Sequence, residues 1–261
     1  MKRIIFILTL LSSISVNAQI GRFPVFATPE RNPLLYGLRA YWKIDETSGT
    51  VVDDAIDLVN GTSSSATNIN ASGKINYCQL FTAAESDIIT FNSTVGEPGT
   101  GDFSISCWVK TVSIASTKTI AHIWTETPAS SLWWQLRQTP YADAYGGADQ
   151  QGYRVHTDFD NTGDDIYAEY FPINVDTWYH VVVVFDRDGN LTLYVNGDTN
   201  AESIVDISGY SAANMVNGAN FILGDAPCYI DEVGIWERVL TADEITDLYN
   251  VGSGWQFPFN P

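Results

Sequence analysis

The residues best equipped for chemistry lie in the middle of the chain. In residues 131–137 (S-L-W-W-Q-L-R), Leu132, Trp134 and Leu136 suit a core, leaving Trp133, Gln135 and Arg137 on the other face of a strand. Residues 151–158 divide likewise, with Tyr153 and Val155 inward and Arg154, His156 and Asp158 outward. A flat indole beside planar donors and acceptors suits sugar recognition: the ring covers C–H groups, while guanidinium, amide and imidazole answer hydroxyls. The stretch between the two runs, P-Y-A-D-A-Y-G-G, adds Tyr141 and Tyr145. The opposing expectation is that Trp133 packs beneath a neighbouring loop.

Metal chemistry has a candidate just downstream. Asp158-x-Asp160-x-Thr162-Gly163 with Glu169 follows the ligand spacing of an EF-hand loop. Its flanks are strand formers ending at Pro172, where an EF-hand needs helices, so the expectation is an acidic hairpin loop with Asp158 and Asp160 as possible calcium ligands. The three histidines, His122, His156 and His180, fall on separate runs without zinc-ligand spacing. Nucleophile-elbow, P-loop and H-E-x-x-H patterns are absent. Cys78, Cys107 and Cys228 are an odd set in strand-like surroundings, which favours buried small hydrophobes over a cysteine nucleophile.

These residues need a frame, and the chain supplies one of short strands. Residues 178–185 are an almost unbroken valine and aromatic run, and residues 191–196 alternate. The intervening D-R-D-G-N is expected to turn through positive φ, making a hairpin at the centre of a sandwich. Further strands are expected over residues 37–46, 75–81, 87–91, 103–110, 119–124, 166–171, 220–223 and 228–236. One helix is signalled by the capping box Thr241-Ala242-Asp243-Glu244, the apolar stripe Ile245, Leu248, Tyr249, and Gly252 beyond. Many short strands with one late helix predict a single all-β sandwich.

Composition bounds the partners. Thirteen basic against thirty-one acidic residues give a formal charge of −18, which argues against nucleic acid. Lys2 and Arg3, the apolar residues 4–11 and Val16-Asn17-Ala18 read as a signal peptide over residues 1–18, and no other apolar run is long enough to span a membrane. Residues 19–35, with Pro24, Pro29 and Pro33, read as an arm or linker, and residues 36–261 as the domain. The expected location is secreted, periplasmic or cell-surface.

Five segments in order carry a family resemblance: G-L-R-A-Y-W-K-I-D-E from Gly37, F-S-I-S-C-W-V-K from Phe103, W-Y-H-V-V-V-V-F-D with L-Y-V-N-G, Y-I-D-E-V-G-I-W-E-R-V-L from Tyr229, and T-A-D-E-I-T-D-L-Y-N from Thr241. Together they resemble the bacterial laminin-G-like domains of the concanavalin A-like lectin/glucanase superfamily. The resemblance implies an all-β, two-sheet antiparallel jelly-roll sandwich that binds ligands on its concave face or rim loops, and a calcium at the position matched by Asp231, with Asp45 or Glu46 nearby if the terminal strands pair. The rival for Asp231 is a turn cap or a pair with Arg238. Glycanase relatives carry E-x-D-x-x-E or E-x-D-x-E on one strand; here Glu85-Ser86-Asp87 continues as Ile88-Ile89-Thr90, so the acid pair is incomplete.

The function expected from these features is a secreted, non-catalytic carbohydrate-binding domain, calcium-stabilised, without nucleic-acid partner. The alternatives are a structural or adhesion module that binds a protein partner at a cell surface or virion appendage, and a glycoside hydrolase with an atypical acid pair.

Overall fold

The computed structural model describes residues 32–56, 59–64, 70–82, 87–92, 95–123, 132–141, 150–160 and 165–259. Two antiparallel sheets stack face to face. The first runs, in spatial order, β14 (Ile204–Asp206), β13 (Asn190–Val195), β12 (Trp178–Phe185), β7 (Phe103–Thr111), β16 (Cys228–Trp236), β5 (Tyr77–Phe81) and β4 (Ala71–Ser72), with β1 (Leu38–Trp42) beside the second half of β16. The second runs β11 (Ile166–Tyr170), β10 (Gln150–Asp158), β9 (Trp133–Tyr141), β8 (Lys118–Ile123), β15 (Phe221–Gly224), β6 (Ile88–Phe91), β3 (Gly61–Ser63) and β2 (Val51–Val52). This is the all-β sandwich that the residue patterns imply, with the jelly-roll arrangement that the family resemblance implies.

Alternation decides which side chains meet between the sheets. Ile105, Cys107 and Val109 of β7 and Val181, Val183 and Phe185 of β12 face Trp134 and Leu136 of β9 and Tyr153 and Val155 of β10. Phe103 stacks on Phe185 at 4.2 Å, and Trp42 meets Phe91 at a tilt at 4.1 Å, within this layer. All three cysteines are free and buried, and burial pushes the thiols of Cys78 and Cys107 up to about 12, so they pack as small hydrophobes.

The outer face of the first sheet has its own apolar cluster. Val182, Val184 and Trp236 are covered by Leu34, Leu240, Ile245, Leu248 and Phe259. The helix α1 (Ala242–Tyr249) lies in this layer, capped as the residues foretell: Thr241 Oγ1 accepts from the Glu244 N–H while the Glu244 carboxylate accepts from the Thr241 N–H.

Three expectations change. The centre of the first sheet is the β7–β16 pair, and the valine-rich β12 with β13 lies toward the β14 edge. The turn between them uses no positive φ at Gly189; a Cβ there would stand 2.4 Å from Asp186 Oδ2, so close approach selects the glycine. The packed domain begins at Asn32 rather than at residue 36, because Leu34 is fully buried and its carbonyl accepts from Trp236 Nε1 at 2.7 Å. The short strands β2, β3, β4 and β14 escaped the pattern: with two or three residues each, they show no period to read.

Candidate functional site: the outer face of the second sheet

Strands β8 to β11 send their non-core side chains to the outer face of the second sheet, and register sets these in rows. Arg137, Arg154 and Glu169 lie side by side across β9, β10 and β11. His122, Gln135, His156 and Tyr167 form the next row across four strands, and Trp133 stands opposite Asp158 in the third. The five residues assigned from alternation (Trp133, Gln135, Arg137, Arg154 and His156) therefore share one surface.

Rings order the middle of this surface. The His156 imidazole meets Trp133 edge-on at 4.4 Å and stacks on Tyr167 at 4.5 Å. Tyr167 also carries the Arg154 guanidinium 4.8 Å above its ring, and Arg154 is paired with the Glu169 carboxylate. His156 Nε2 lies 2.9 Å from Asp165 Oδ1, and the Tyr167 hydroxyl donates to Asp165 Oδ2 at 2.9 Å. Burial pushes the His156 imidazole down against the pull of Asp165, and Arg137 and Arg154 push the same way. For Asp165, hydrogen bonds from His156 and Tyr167 outweigh a burial term that would raise it, and hold its carboxyl below the usual range. His122 is lowered by burial to about 4 and is neutral at physiological pH.

The surface is more closed than an open platform. Gln135 is 4% exposed, His156 7% and Glu169 7%, whereas Trp133 and Arg137 are half-buried. Its polar side chains are thus held by one another in fixed orientations. Tyr167, Asp165 and His122 were missed; His122 was legible, since it alternates with core residues Ala121 and Ile123. Tyr145 lies outside the described residues, and of Tyr141 only the backbone is described, at the end of β9.

The acidic hairpin loop joins two antiparallel strands, not two helices. Asp158 is buried and accepts from the Asp160 N–H at 3.0 Å, closing a local turn, while Glu169, the twelfth position of the EF-hand spacing, pairs with Arg154 across the sheet. Residues 161–164 lie outside the described part.

Asp231 and Asp45 come together on the other sheet. Asp231 is fully buried; its Oδ2 accepts from the N–H groups of Lys74 (2.7 Å) and Ile75 (2.9 Å), and its Oδ1 has no hydrogen-bond partner. Asp231 therefore caps the turn between β4 and β5, the turn-cap alternative, and does not pair with Arg238, which binds Glu244 through both Nη groups. A β-bulge between Asp231 and Gly234, with Glu232 at φ 51°, brings a second acid to the same place. Glu232 accepts from the Tyr41 hydroxyl and from Gln256 Nε2, each at 2.5 Å, and the same Gln256 amide donates to Asp45 Oδ2 at 3.1 Å. Burial first, with Asp45 adding repulsion, raises the Asp231 carboxyl to about 8; burial and the Asp231 charge raise Glu232 to about 9. For a hard cation this cluster offers the unpartnered Asp231 Oδ1 amid an unneutralised acidic field, while Asp45 and Glu232 already accept amide and hydroxyl donors. Glu232 could not be foreseen, because plain alternation would send it to the face opposite Asp231.

Two other groupings are close in space. Asp102, Asp186 and Asp188 gather at the β12–β13 turn, the one set of potential ligand atoms among the described residues that all lie within 4.8 Å of one another. Ser106 Oγ lies 2.8 Å from His180 Nε2, but both are buried beside Trp108, and burial lowers His180 to about 3, so this pair faces no substrate. Of the glycanase-like acids, Glu85 lies outside the described residues, and Asp87 is buried and accepts from the Thr82 N–H at 2.8 Å.

A family model of laminin-G-like domains, described as the concanavalin A-like lectin/glucanases superfamily, matches residues 83–246, more than half of the 261-residue chain. Among solved structures, the binding domain of Paraclostridial Mosquitocidal Protein 1 is similar with TM-score 0.62 and 15% identity over 83% of this chain and 52% of that one. Domain 4 of AbnA, a GH43 extracellular arabinanase from Geobacillus stearothermophilus in complex with arabinotriose, is similar with TM-score 0.57 and 20% identity over 80% of this chain and 97% of that one. Trypanosoma rangeli sialidase is similar with TM-score 0.56 and 16% identity over 84% of this chain and 33% of that one. The chain spans about half the length of the mosquitocidal binding domain and a third of the sialidase, and at these identities the likeness is one of fold. No curated protein matches the sequence.

Proposed function

This chain belongs to the concanavalin A-like lectin/glucanase superfamily, and from that premise we propose that it is an exported, non-catalytic carbohydrate-binding domain whose ligand lies on the outer face of β8 to β11. The observation that carries this reading is the chain of ring contacts Trp133–His156–Tyr167, an aromatic strip that crosses two rows of the sheet, flanked by Gln135, Arg137 and Arg154. The first sheet's outer face supports it by contrast, because α1 and the C-terminal segment lie on that side. The two carboxyls pushed up to about 8 and 9, where a general acid would be useful, are buried on the first sheet instead, which supports binding without hydrolysis. Arabinotriose is bound by the AbnA domain, a relative of this fold, and a saccharide ligand here is consistent with that.

The role of each group follows from its chemistry. Trp133 covers the apolar face of a sugar ring. Gln135 and His156 answer hydroxyls from fixed positions, so little entropy is lost when ligand binds. Arg154, already neutralised by Glu169, presents nitrogen donors without net charge. Calcium is the second part of the reading: Asp231 and Asp45 would hold it, Asp231 giving up its proton, and it would brace β16 against the loop before β5.

A glycan array followed by calorimetry on the protein lacking residues 1–18 tests the sugar reading. Trp133→Ala is expected to weaken the best glycan about tenfold, the worth of roughly 1.4 kcal/mol of ring contact, with an unchanged melt. Failure of a broad array, or binding indifferent to Trp133, would falsify the assignment.

A further inference from the structure

The outer face of β8 to β11 holds two arginines with different electrostatic fates. Arg154 is paired with Glu169. Arg137, directly opposite Arg154 in register, makes no ion pair among the described residues, and its one hydrogen bond is from Nε to Gln135 Oε1 at 2.5 Å. Gln135 is itself buried and holds the guanidinium at Nε; among the described residues the Nη1 and Nη2 groups have no hydrogen-bond partner, and the Asp165 carboxylate acts on the charge only through space. Nearby His122 is neutral, so it does not share the charge.

A chain with thirty-one acids and thirteen basic residues has carboxylates in plenty to neutralise one half-buried arginine. Leaving it unpaired costs solvation, and that cost is recovered when an anion arrives from outside. Two parallel Nη donors in one plane match the two oxygens of a carboxylate. The distance sorts the ligand further. Trp133 and Arg137 are four residues apart on one strand, roughly 13 Å, so the stacked ring and the anionic group belong to different units of an oligosaccharide. The charge of −18 repels a densely charged polyanion, which favours a glycan with spaced charges.

Resting on the sugar reading above, we propose that Arg137 is an anion subsite and that the ligand is an acidic oligosaccharide, with a uronic acid carboxylate seated on its Nη groups. The test is calorimetry with oligosaccharides containing galacturonate, glucuronate or mannuronate, each compared with its carboxyl-reduced neutral form. The wild type is expected to prefer at least one acidic form about tenfold or more, the scale of a charge-assisted bidentate contact. Arg137→Gln should erase that preference, bringing the acidic and neutral forms to the same affinity with the melt unchanged; Arg137→Lys should restore only part, lacking the planar fork. Trp133→Ala should weaken both forms alike. Equal affinity for acidic and neutral forms, with both weakened by Trp133→Ala, overturns the anion subsite and leaves the sugar reading standing. Binding of neither form overturns both. A preference for sulfated oligosaccharides with the same Arg137 dependence overturns the carboxylate assignment.

Discussion

Asp231 shows how much one carboxyl can hold. Two backbone N–H groups fix its Oδ2, its Oδ1 is unanswered, and Glu232 stands next to it. Both folded-state carboxyls lie far above the unfolded value of about 4, so the folded chain binds more protons than the unfolded one between that value and their own at about 8 and 9. Stability from this pair is therefore fully present below pH 4 and is lost as pH rises through 8 to 9. His122 and His180, lowered to about 4 and about 3, have the opposite sign, but their contribution is complete above pH 6.5. From pH 7 to 8 the two acids dominate, and above pH 8 the buried thiols, raised by burial, add to them with the same sign; the melting temperature is expected to fall, by an amount worth roughly 1–3 kcal/mol. Asp231→Asn, an isostere of the protonated acid, should flatten that fall. Calcium at the same place should raise the melt at pH 8–9 relative to chelator, in the wild type but not in Asp231→Asn; a melt indifferent to chelator would sink the calcium reading.

At the scale of elements, the legible parts were those with a period. β9 and β10 are long enough for alternation to show, so Trp133, Gln135, Arg137, Arg154 and His156 were placed on one face without any knowledge of register. Glu232 was illegible because a bulge breaks alternation, and bulges have no signature in a strand whose residues, Asp231-Glu232-Val233, are ordinary. The C-terminal segment was equally hidden. Residues 255–259 carry no period, yet Phe259 is fully buried, edge-on to Tyr41 at 5.2 Å and beside Trp236 at 6.4 Å. This aromatic end clamps α1 and the first sheet's outer layer. Phe259→Ala is expected to cost roughly 3 kcal/mol, a drop in melting temperature of about 6–12 °C, while glycan binding on the opposite sheet is unchanged. A loss of binding without loss of stability would show that the two faces are coupled.

For the whole molecule, the sandwich gives its two outer faces unequal fates. The core-facing half of β7, β9, β10 and β13 was readable from alternation, whereas β12 and β16 are buried on both faces and show no alternation to read. What the pattern lacks is any mark of which outer face is covered, since that depends on contacts across 202 residues of chain, as between Trp236 and the Leu34 carbonyl. The same contacts bring the two ends of the domain together: the Asn32 side-chain amide donates to the Phe259 carbonyl at 2.5 Å. Entry and exit thus share one pole, on the side of the first sheet, with the aromatic strip on the far side. A tether placed experimentally at either end of the described domain would leave the Trp133 face turned away from it. Joining residue 259 to residue 32 by a short linker and opening the chain elsewhere should give a circular permutant with the same melt and ligand profile.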